Sequence, residues 1–172
     1  LDPNTISKLW GIKGIGLHTH LGWRILIPIH DRTGRVVSWT TRSISPNNPR
    51  RYVSASADAE KVSHRELLYG AHLARHTVVI VEGPVDAWAI GPGAVATLGL
   101  GFSQAQVVAM SSYPVRVICL DAEAGAQRRA GELCRSLSAF PGLVENVVLE
   151  TGKDAAEADQ SEISELRQRF LS

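Results

Sequence analysis

The sequence predicts an α/β fold in which a parallel sheet flanked by helices follows a small mixed α+β subdomain with a β-hairpin. Two patterns in the 172 residues lead to this prediction. In the second half, short apolar runs rich in valine alternate with amphipathic segments, and strands that alternate with helices form parallel sheets covered on both faces. In the first half, apolar residues recur with a period of two around a polar turn, which is typical of a hairpin.

The first subdomain is expected at residues 1–75. After a short helix near its start, residues 24–29 and 35–42 alternate in polarity on either side of a turn, which predicts the hairpin. Pro28 has no N–H to donate, so its strand is expected to be an edge strand or to be bulged at that point. Residues 50–53 predict a further short strand, and the spacing of leucine and alanine predicts a helix over 64–75.

The second domain is expected at residues 76–172. Its first strand ends abruptly at Glu82 and Gly83, and Pro84 suits the first position of the helix that follows. Open α/β sheets bind their ligands at the carboxyl ends of the strands, so this turn is the first place to expect a site. The predicted strands are 77–81, 94–98, 115–120 and 146–150, and the predicted helices are 85–90, 103–110, 123–137 and 161–170.

Acidic residues follow three of the four predicted strands. Glu82 and Asp86 follow the first strand, Asp121 and Glu123 the third, and Asp154 the last. Carboxylates gathered at one edge repel one another, so some must bind protons or share a divalent cation. A single such acid often only caps the next helix, but acids at three strand ends favour a metal site. Oxygen ligands without histidine or cysteine favour Mg²⁺ or Mn²⁺ over zinc.

The net charge of +1 hides an uneven distribution, because the chain is mostly basic up to residue 75 and acidic beyond it. This asymmetry is compatible with a polyanion bound to the first subdomain, although protein surfaces also vary in charge for no functional reason. Arg50, Arg51 and Tyr52 form a basic and aromatic patch. Such a patch can hold phosphates and stack a base, or it can simply be a solvated sheet edge.

The remaining composition points to a cytoplasmic protein. Cys119 and Cys134 are too few for a zinc ribbon or a disulfide framework. No apolar stretch reaches the roughly 18 residues of a membrane span, and no signal-peptide pattern is present at the N-terminus. We therefore expect no membrane partner.

The acidic segments resemble a known family. Residues 81–86, with Asp121 and Glu123 about forty residues on, are similar to the Toprim domain shared by bacterial-type DNA primases, topoisomerases, recombination proteins and some nucleases. The flanking segments narrow the resemblance to the catalytic core of bacterial-type primases, including those of phages and mobile elements. They comprise residues 5–16, 24–37, 41–42, 51–52, 66–70, 96–99 and 152–154, so that the resemblance covers nearly the whole chain.

The resemblance implies a DNA-directed RNA polymerase of the primase type, which makes RNA primers on single-stranded DNA from ribonucleoside triphosphates by metal-dependent nucleotidyl transfer. It implies that Glu82, Asp121 and Glu123 are catalytic and hold Mg²⁺ or Mn²⁺ together with Asp154, while Asp86 and Gly83 organise the site. The residues that it places on nucleic acid or nucleotide are Arg24, Arg42, Arg51, Tyr52, Arg65 and Lys153.

Several positions depart from the family pattern. Glu123 stands where primases have a second aspartate, Gly125 comes one residue earlier than the family glycine, and Ala156 stands where another acid is expected. Arg65 is the substitute for a family lysine near His64. These departures leave two alternatives open: a Toprim nuclease, or a catalytically weakened nucleic-acid-binding module of a larger replication or mobile-element protein. A topoisomerase would need a tyrosine nucleophile, but no tyrosine in this sequence lies in a pattern that indicates that role.

Bacterial-type primases also carry a zinc-binding domain and a helicase or helicase-binding domain. The sequence has no counterpart of either, so we expect the chain to be part of a longer polypeptide. A replicative helicase would then be contacted through other regions of that polypeptide.

Overall fold

The computed structural model describes residues 2–17, 20–99 and 101–172, which form two compact units, Leu1–His64 and Arg65–Ser172. The boundary lies before the one expected at residue 75. The reason is that Leu68, Ala71 and Ala74 are buried in the core of the second unit, so the segment that carries them belongs to that unit.

The first unit contains a helix and a four-stranded antiparallel sheet. Helix α1 (Pro3–Trp10) begins at Asp2, whose carboxylate accepts the N–H of Thr5 at 2.8 Å. The sheet has the order β1-β2-β3-β4, formed by β1 (Lys13–Gly14), β2 (Arg24–His30), β3 (Val36–Ser43) and β4 (Tyr52–Ser54). The predicted hairpin is therefore confirmed.

The turn of the hairpin is held by Asp31. Its Oδ1 accepts the N–H groups of Thr33 at 2.8 Å and Arg35 at 3.1 Å, and Gly34 adopts a φ of 84° that favours glycine. The expectation for Pro28 also holds. On its outer side β2 pairs with β1 only at Ile25 and Leu26, and the register with β3 shifts just beyond Pro28, between Ile29 and His30.

The prediction of a helix over residues 64–75 is wrong. The segment contains only two short 3₁₀ turns, His64–Glu66 and Ala71–Leu73. Between them Tyr69 exchanges two backbone hydrogen bonds of 3.0 Å with Ala96, and Gly70 has a φ of 85°. A backbone that pairs with a strand cannot also complete helical hydrogen bonds, so tertiary pairing overrides the helical spacing.

The second unit contains the predicted parallel sheet. Its order is β6-β5-β7-β8, formed by β5 (Thr77–Val81), β6 (Ala94–Ala96), β7 (Val115–Ile118) and β8 (Leu143–Asn146), and every neighbouring pair is parallel. The helices are α2 (Pro84–Ile90), α3 (Gln104–Ser111), α4 (Ala124–Leu137) and α5 (Gln160–Phe170), close to the predicted bounds.

Four strand ends differ from the sequence prediction: β6 ends at Ala96 rather than at residue 98, β7 ends at Ile118 rather than at residue 120, and β8 runs from Leu143 to Asn146 rather than over residues 146–150. Strand β6 stops at Ala96, because Leu98 has a φ of 64°, which a strand cannot accommodate. Strand β8 begins at Leu143 rather than at Asn146. Its start is fixed by buried Arg116, whose Nη2 donates to the carbonyls of Phe140 at 3.3 Å and Pro141 at 2.8 Å, just before β8.

The core of the second unit covers both faces of its sheet. Val78 and Ile80 of β5 are fully buried in a cluster that contains residues of α3 and α4, while the alternate residues Val79 and Val81 are buried on the opposite face. No helix in residues 2–17, 20–99 and 101–172 is long and apolar enough to cross a membrane. The strands of this sheet end together at their carboxyl edge, where the acidic residues follow.

Candidate functional site

The turn between β5 and α2 places the first acids. Glu82 follows the last residue of β5, Gly83 is the N-cap of α2, and Pro84 is its first residue. Asp86 lies in the first turn of α2, and its Oδ2 accepts the N–H of Gly83 at 3.1 Å. The side chain of Asp86 therefore fixes the turn that presents Glu82.

Asp86 also reaches the loop that carries Asp154. The backbone N–H of Ala156, in that loop, lies near enough to interact with the Asp86 carboxylate. Burial, and next the charge of Asp154, raise the pKa of Asp86 to about 6. The acid after the first strand thus lies close to the last acidic loop, and its role in organising the site stays a prediction.

The segment after β7 is tied to the same loop. Asp121 and Glu123 follow β7, and the N–H of Ala122, between them, donates to the carbonyl of Lys153 at 2.8 Å. Glu123 is exposed and is the N-cap of α4, although its side chain makes no capping hydrogen bond. Both Asp121 and Asp154 are partly buried.

The loop with Asp154 is closed tightly. Asp154 Oδ1 accepts the N–H of Glu157 at 2.9 Å, and a Cβ added to Gly152 would lie 2.5 Å from the backbone nitrogen of Ala158. Only glycine therefore fits at position 152 without moving the loop. The backbone brings Glu82, Asp121, Glu123 and Asp154 to one edge of the sheet, as the sequence predicts.

The electrostatics at this edge are those of crowded carboxylates. Burial raises the pKa of Asp121 to about 7, with further contributions from the charges of Glu82, Asp86, Asp154 and Glu123 in that order. Burial and the charges of Asp86, Glu162 and Asp121 likewise raise the pKa of the Cys119 thiol to about 12. The edge is therefore a region of negative potential that favours protons or cations.

The donor chemistry at this edge suits a hard divalent cation, because every acid named offers only carboxylate oxygens. In the part of the chain that the structure describes, however, no three His, Cys, Asp or Glu side chains are grouped closely enough to hold a metal ion. The carboxylates would have to turn toward one another to do so, and the raised pKa of Asp121 shows that they are near enough to interact.

The basic residues of the first unit fall into two groups. Arg24 is only 6% exposed, and its Nη2 donates to the carbonyl of Arg50 at 2.5 Å. Arg42, in contrast, is partly exposed, donates to the Tyr52 hydroxyl at 2.8 Å, and lies 5.6 Å from the centroid of the Tyr52 ring. The structure therefore favours a positioning role for Arg24 over the nucleic-acid contact expected from the sequence, while Arg42, Arg51 and Tyr52 face solvent.

Two of the predicted basic residues, Arg65 and Lys153, lie in the second unit, and both are exposed. Arg65 lies in the 3₁₀ turn His64–Glu66, and its carbonyl accepts the hydroxyl of Ser103 at 2.8 Å. Lys153 lies beside Asp154, with its Nζ 3.7 Å from a carboxylate oxygen of Glu157.

Known proteins share both the sequence and the fold. Residues 13–75 match the family model described as the N-terminal domain of the DNA primase catalytic core. The DNA primase of Synechococcus elongatus is 34% identical over 164 residues, which cover 84% of this chain and 23% of that protein. The chain belongs to the DNA primase family.

Solved primase structures confirm the fold. The zinc-binding and RNA polymerase domains of the Aquifex aeolicus primase superpose with a TM-score of 0.74 at 22% identity, over 95% of this chain and 44% of that one. A primase catalytic domain bound to single-stranded DNA superposes with a TM-score of 0.72 at 16% identity, over 98% and 60% of the two chains. The chain thus spans about a quarter of its curated primase relative and about half of these solved chains.

Within this primase segment, Arg129 contacts a predicted site residue although no sequence pattern indicated it. Arg129 lies on α4, and its Nη2 is 2.7 Å from Glu82 Oε1 in an ion pair that is mostly buried. Both residues line a small pocket whose walls include Phe102 and Leu133. Nothing in the sequence pairs a residue of α4 with one 47 positions earlier, so only the packing of α4 against the sheet could show this contact.

Gln127 also contacts a predicted site residue. Its Nε2 donates to the carbonyl of Asp121 at 2.9 Å, and its Oε1 accepts from Asn146 at 3.0 Å. Gln127 therefore joins the chain just after β7 to the end of β8. The only hint in the sequence is its place one turn after Glu123 in the predicted helix.

Proposed function

We propose that the chain is part of the catalytic core of a DNA primase and contributes to metal-dependent synthesis of RNA primers on single-stranded DNA. The observation that carries the proposal is the arrival of acids from three segments, Glu82, Asp121 and Asp154, at the carboxyl edge of one parallel sheet in a primase-related chain. Crowded carboxylates of this kind suit the binding of two or more phosphates through divalent cations.

The reaction is nucleotidyl transfer. The 3′-hydroxyl oxygen of the growing primer forms a bond to the α-phosphorus of a ribonucleoside triphosphate, the bond from that phosphorus to the β-phosphate oxygen breaks, and pyrophosphate leaves with its electron pair. The proton of the hydroxyl must pass to a base. Mg²⁺ or Mn²⁺, when bound, lowers the pKa of that hydroxyl and neutralises charge on the phosphates.

We assign each acid a role according to its surroundings. Asp121 and Asp154 are partly buried and would hold the cation, with Glu123 reaching from the exposed start of α4. Glu82 would serve as a ligand or as the general base once its carboxylate is released from Arg129. Asp86 and Gly83 hold the turn that presents Glu82, through the hydrogen bond between them.

The exposed basic residues would contact the polyanions of the reaction. Arg42, Arg51 and Tyr52 offer two cations and an aromatic ring on the first unit, which suits the phosphates and bases of a single-stranded template. Lys153 and Arg65 of the second unit are proposed to contact the triphosphate. Arg24 contributes by fixing the carbonyls of Arg50 and Arg51. A replicative helicase would act through other regions of a longer polypeptide.

The proposal is tested by primer synthesis on single-stranded DNA with labelled ribonucleoside triphosphates and Mn²⁺. We expect labelled RNA from the unaltered chain and none from Asp121→Ala, with the far-ultraviolet circular dichroism of the two proteins alike. Asp159→Asn is the matched control, because Asp159 is exposed at the N-cap of α5, where asparagine is as good a cap.

Two outcomes would contradict the proposal. Equal RNA synthesis by Asp121→Ala and the unaltered chain would refute the site. Cleavage of labelled DNA that depends on Asp121, in the absence of any RNA product, would assign the same acids to a nuclease.

A further inference from the structure

Trp23 is held in a costly and exposed conformation. It has a φ of 59°, in the left-handed region that bulky residues avoid, and it is 62% exposed. This backbone conformation is unfavourable for any residue other than glycine, because its Cβ comes close to the backbone. The other tryptophans are different, since Trp10 and Trp88 are buried and Trp39 is partly buried. Trp23 therefore bears a conformational cost that burial of its own side chain does not offset.

Trp23 has a second exposed apolar residue beside it. The N–H of Ile44 donates to the carbonyl of Trp23 at 3.0 Å, and the Ile44 side chain is 53% exposed. These two residues, which we call the Trp23 patch, lie where β2 begins and β3 ends. An exposed aromatic and an exposed aliphatic side chain fixed next to each other are typical of a contact surface.

Cations adjoin the Trp23 patch through the sheet register. Arg24, the residue after Trp23, pairs with Ser43, and the next pair along β3 and β4 is Arg42 with Tyr52. The N–H of Ser43 donates to the carbonyl of exposed Arg51 at 2.9 Å. The end of this sheet thus presents an indole, an aliphatic side chain, a phenol ring and two arginines within a few residues of one another.

We propose that the Trp23 patch is a stacking site for a base of single-stranded nucleic acid, with Arg42 and Arg51 neutralising the adjoining phosphates. A planar apolar surface beside cations is complementary to a nucleotide, which has a flat apolar base and an anionic phosphate. A purely apolar partner would leave the flanking arginines without counter-charge, so the charges favour nucleic acid. The inference deepens the proposed function, because it assigns a place for the bases of the template that function requires.

The position of Trp23 also separates binding from stability. Glycine adopts a positive φ without cost, so Trp23→Gly removes the indole and the backbone strain together. We therefore expect Trp23→Gly to be at least as stable as the unaltered chain in urea unfolding. A loss of binding in this variant cannot then be attributed to unfolding. Trp23→Phe keeps an aromatic face at the same place and serves as the conservative replacement.

The test compares two probes of equal length and charge: an oligothymidylate of about 12 nucleotides, within the range of known binding sites, and an abasic oligonucleotide. Binding is measured by fluorescence anisotropy at fixed salt, without metal or triphosphate. Trp23→Gly should lose about 5- to 150-fold in affinity for oligothymidylate, as expected from the loss of one stacked base. Trp23→Phe should retain most of the affinity, and neither variant should change binding of the abasic probe.

Other outcomes have definite meanings. Equal losses of affinity for both probes would show that Trp23 acts through the fold or the phosphates. No loss of affinity would show that the Trp23 patch is not part of the nucleic-acid surface and would favour a protein contact. Either outcome overturns the inference. Leu143→Ala, which removes a side chain that is 52% exposed in the second unit, is the matched control and should change neither affinity.

The same measurements separate this inference from the proposed function. If the unaltered chain binds oligothymidylate but Trp23→Gly binds it equally well, only the stacking site fails. If the unaltered chain binds neither probe, template binding itself fails. Quenching of tryptophan fluorescence by oligothymidylate, lost in Trp23→Phe, would place a base directly on the indole.

Discussion

Asp121→Asn is expected to abolish activity and yet to stabilise the metal-free protein. The carboxyl group of Asp121 has its pKa raised to about 7 by burial and by four neighbouring acids. Raising a carboxyl pKa from 3.8 to about 7 corresponds to about 4 kcal/mol once the group is ionised. Because Asp121 is partly exposed, solvent screening reduces this cost to about 1–2 kcal/mol. Asparagine has nearly the same shape and carries no charge.

The sign of the pH dependence follows from the direction of the shift. The pKa of Asp121 is higher in the folded than in the unfolded chain, so ionisation costs nothing below pH 4 and its full cost is reached above pH 7. Asp121→Asn should therefore match the unaltered chain at pH 4 and exceed its melting temperature by about 3–6 °C at pH 8. The measurement is thermal unfolding in EDTA across this pH range, with Asp159→Asn as the control.

Adding Mn²⁺ should make the unaltered chain more stable than Asp121→Asn. A ligand that binds only the folded state raises its stability according to its affinity, so the unaltered chain should gain more than Asp121→Asn. The reasoning is refuted if Asp121→Asn is less stable than the unaltered chain at pH 8 in EDTA. A stability gain that is the same at pH 4 and pH 8 would refute it equally, since it could not come from the carboxylate charge.

Three further predictions concern the surroundings of the site and the sheet. Arg129→Gln should lower the free energy of unfolding of the metal-free protein by about 1–2 kcal/mol, because Glu82 loses its partner. The same change releases the Glu82 carboxylate, so calorimetry should show Mn²⁺ binding that is about 3- to 10-fold tighter. Gln127→Ala should cost about 1–2 kcal/mol in urea unfolding, through lost hydrogen bonds to two strand ends. Gly142→Ala should lower the free energy of unfolding by about 2–4 kcal/mol, because its Cβ would lie 2.4 Å from a backbone oxygen at a φ of 117°. Gly131→Ala, inside α4, should instead raise the free energy of unfolding by about 0.5–1 kcal/mol.

Each of these predictions has a contrary outcome. Weaker Mn²⁺ binding by Arg129→Gln would mean that the arginine positions Glu82 for the metal rather than competing with it. An unchanged free energy of unfolding in Gln127→Ala would show that the strand ends do not depend on that side chain. Equal effects at Gly142 and Gly131 would contradict the steric argument, because only the first has a positive φ and a close backbone oxygen.

Local pattern was sufficient where the chain interacts with its own neighbours. The hairpin around Asp31 and the run from Thr77 to Val81 were predictable, because alternation and β-branched runs determine strands over a few residues. The helix expected at 64–75 was wrong, because Tyr69 pairs with Ala96, which lies in a distant strand. The late start predicted for β8 was wrong as well, because the strand is fixed by buried Arg116 and not by the most apolar stretch.

The sequence by itself determined which residues are chemically able to form the site: the acids after the strands, and the arginines and Tyr52 before them. Only the tertiary structure decided what each of them can do. It buried Arg24 against carbonyls, paired Glu82 with Arg129 and brought Asp86 close to the loop of Asp154. The physical reason is that composition and spacing fix the chemistry of a side chain, whereas its charge state and its partners depend on burial and on residues far away in the chain.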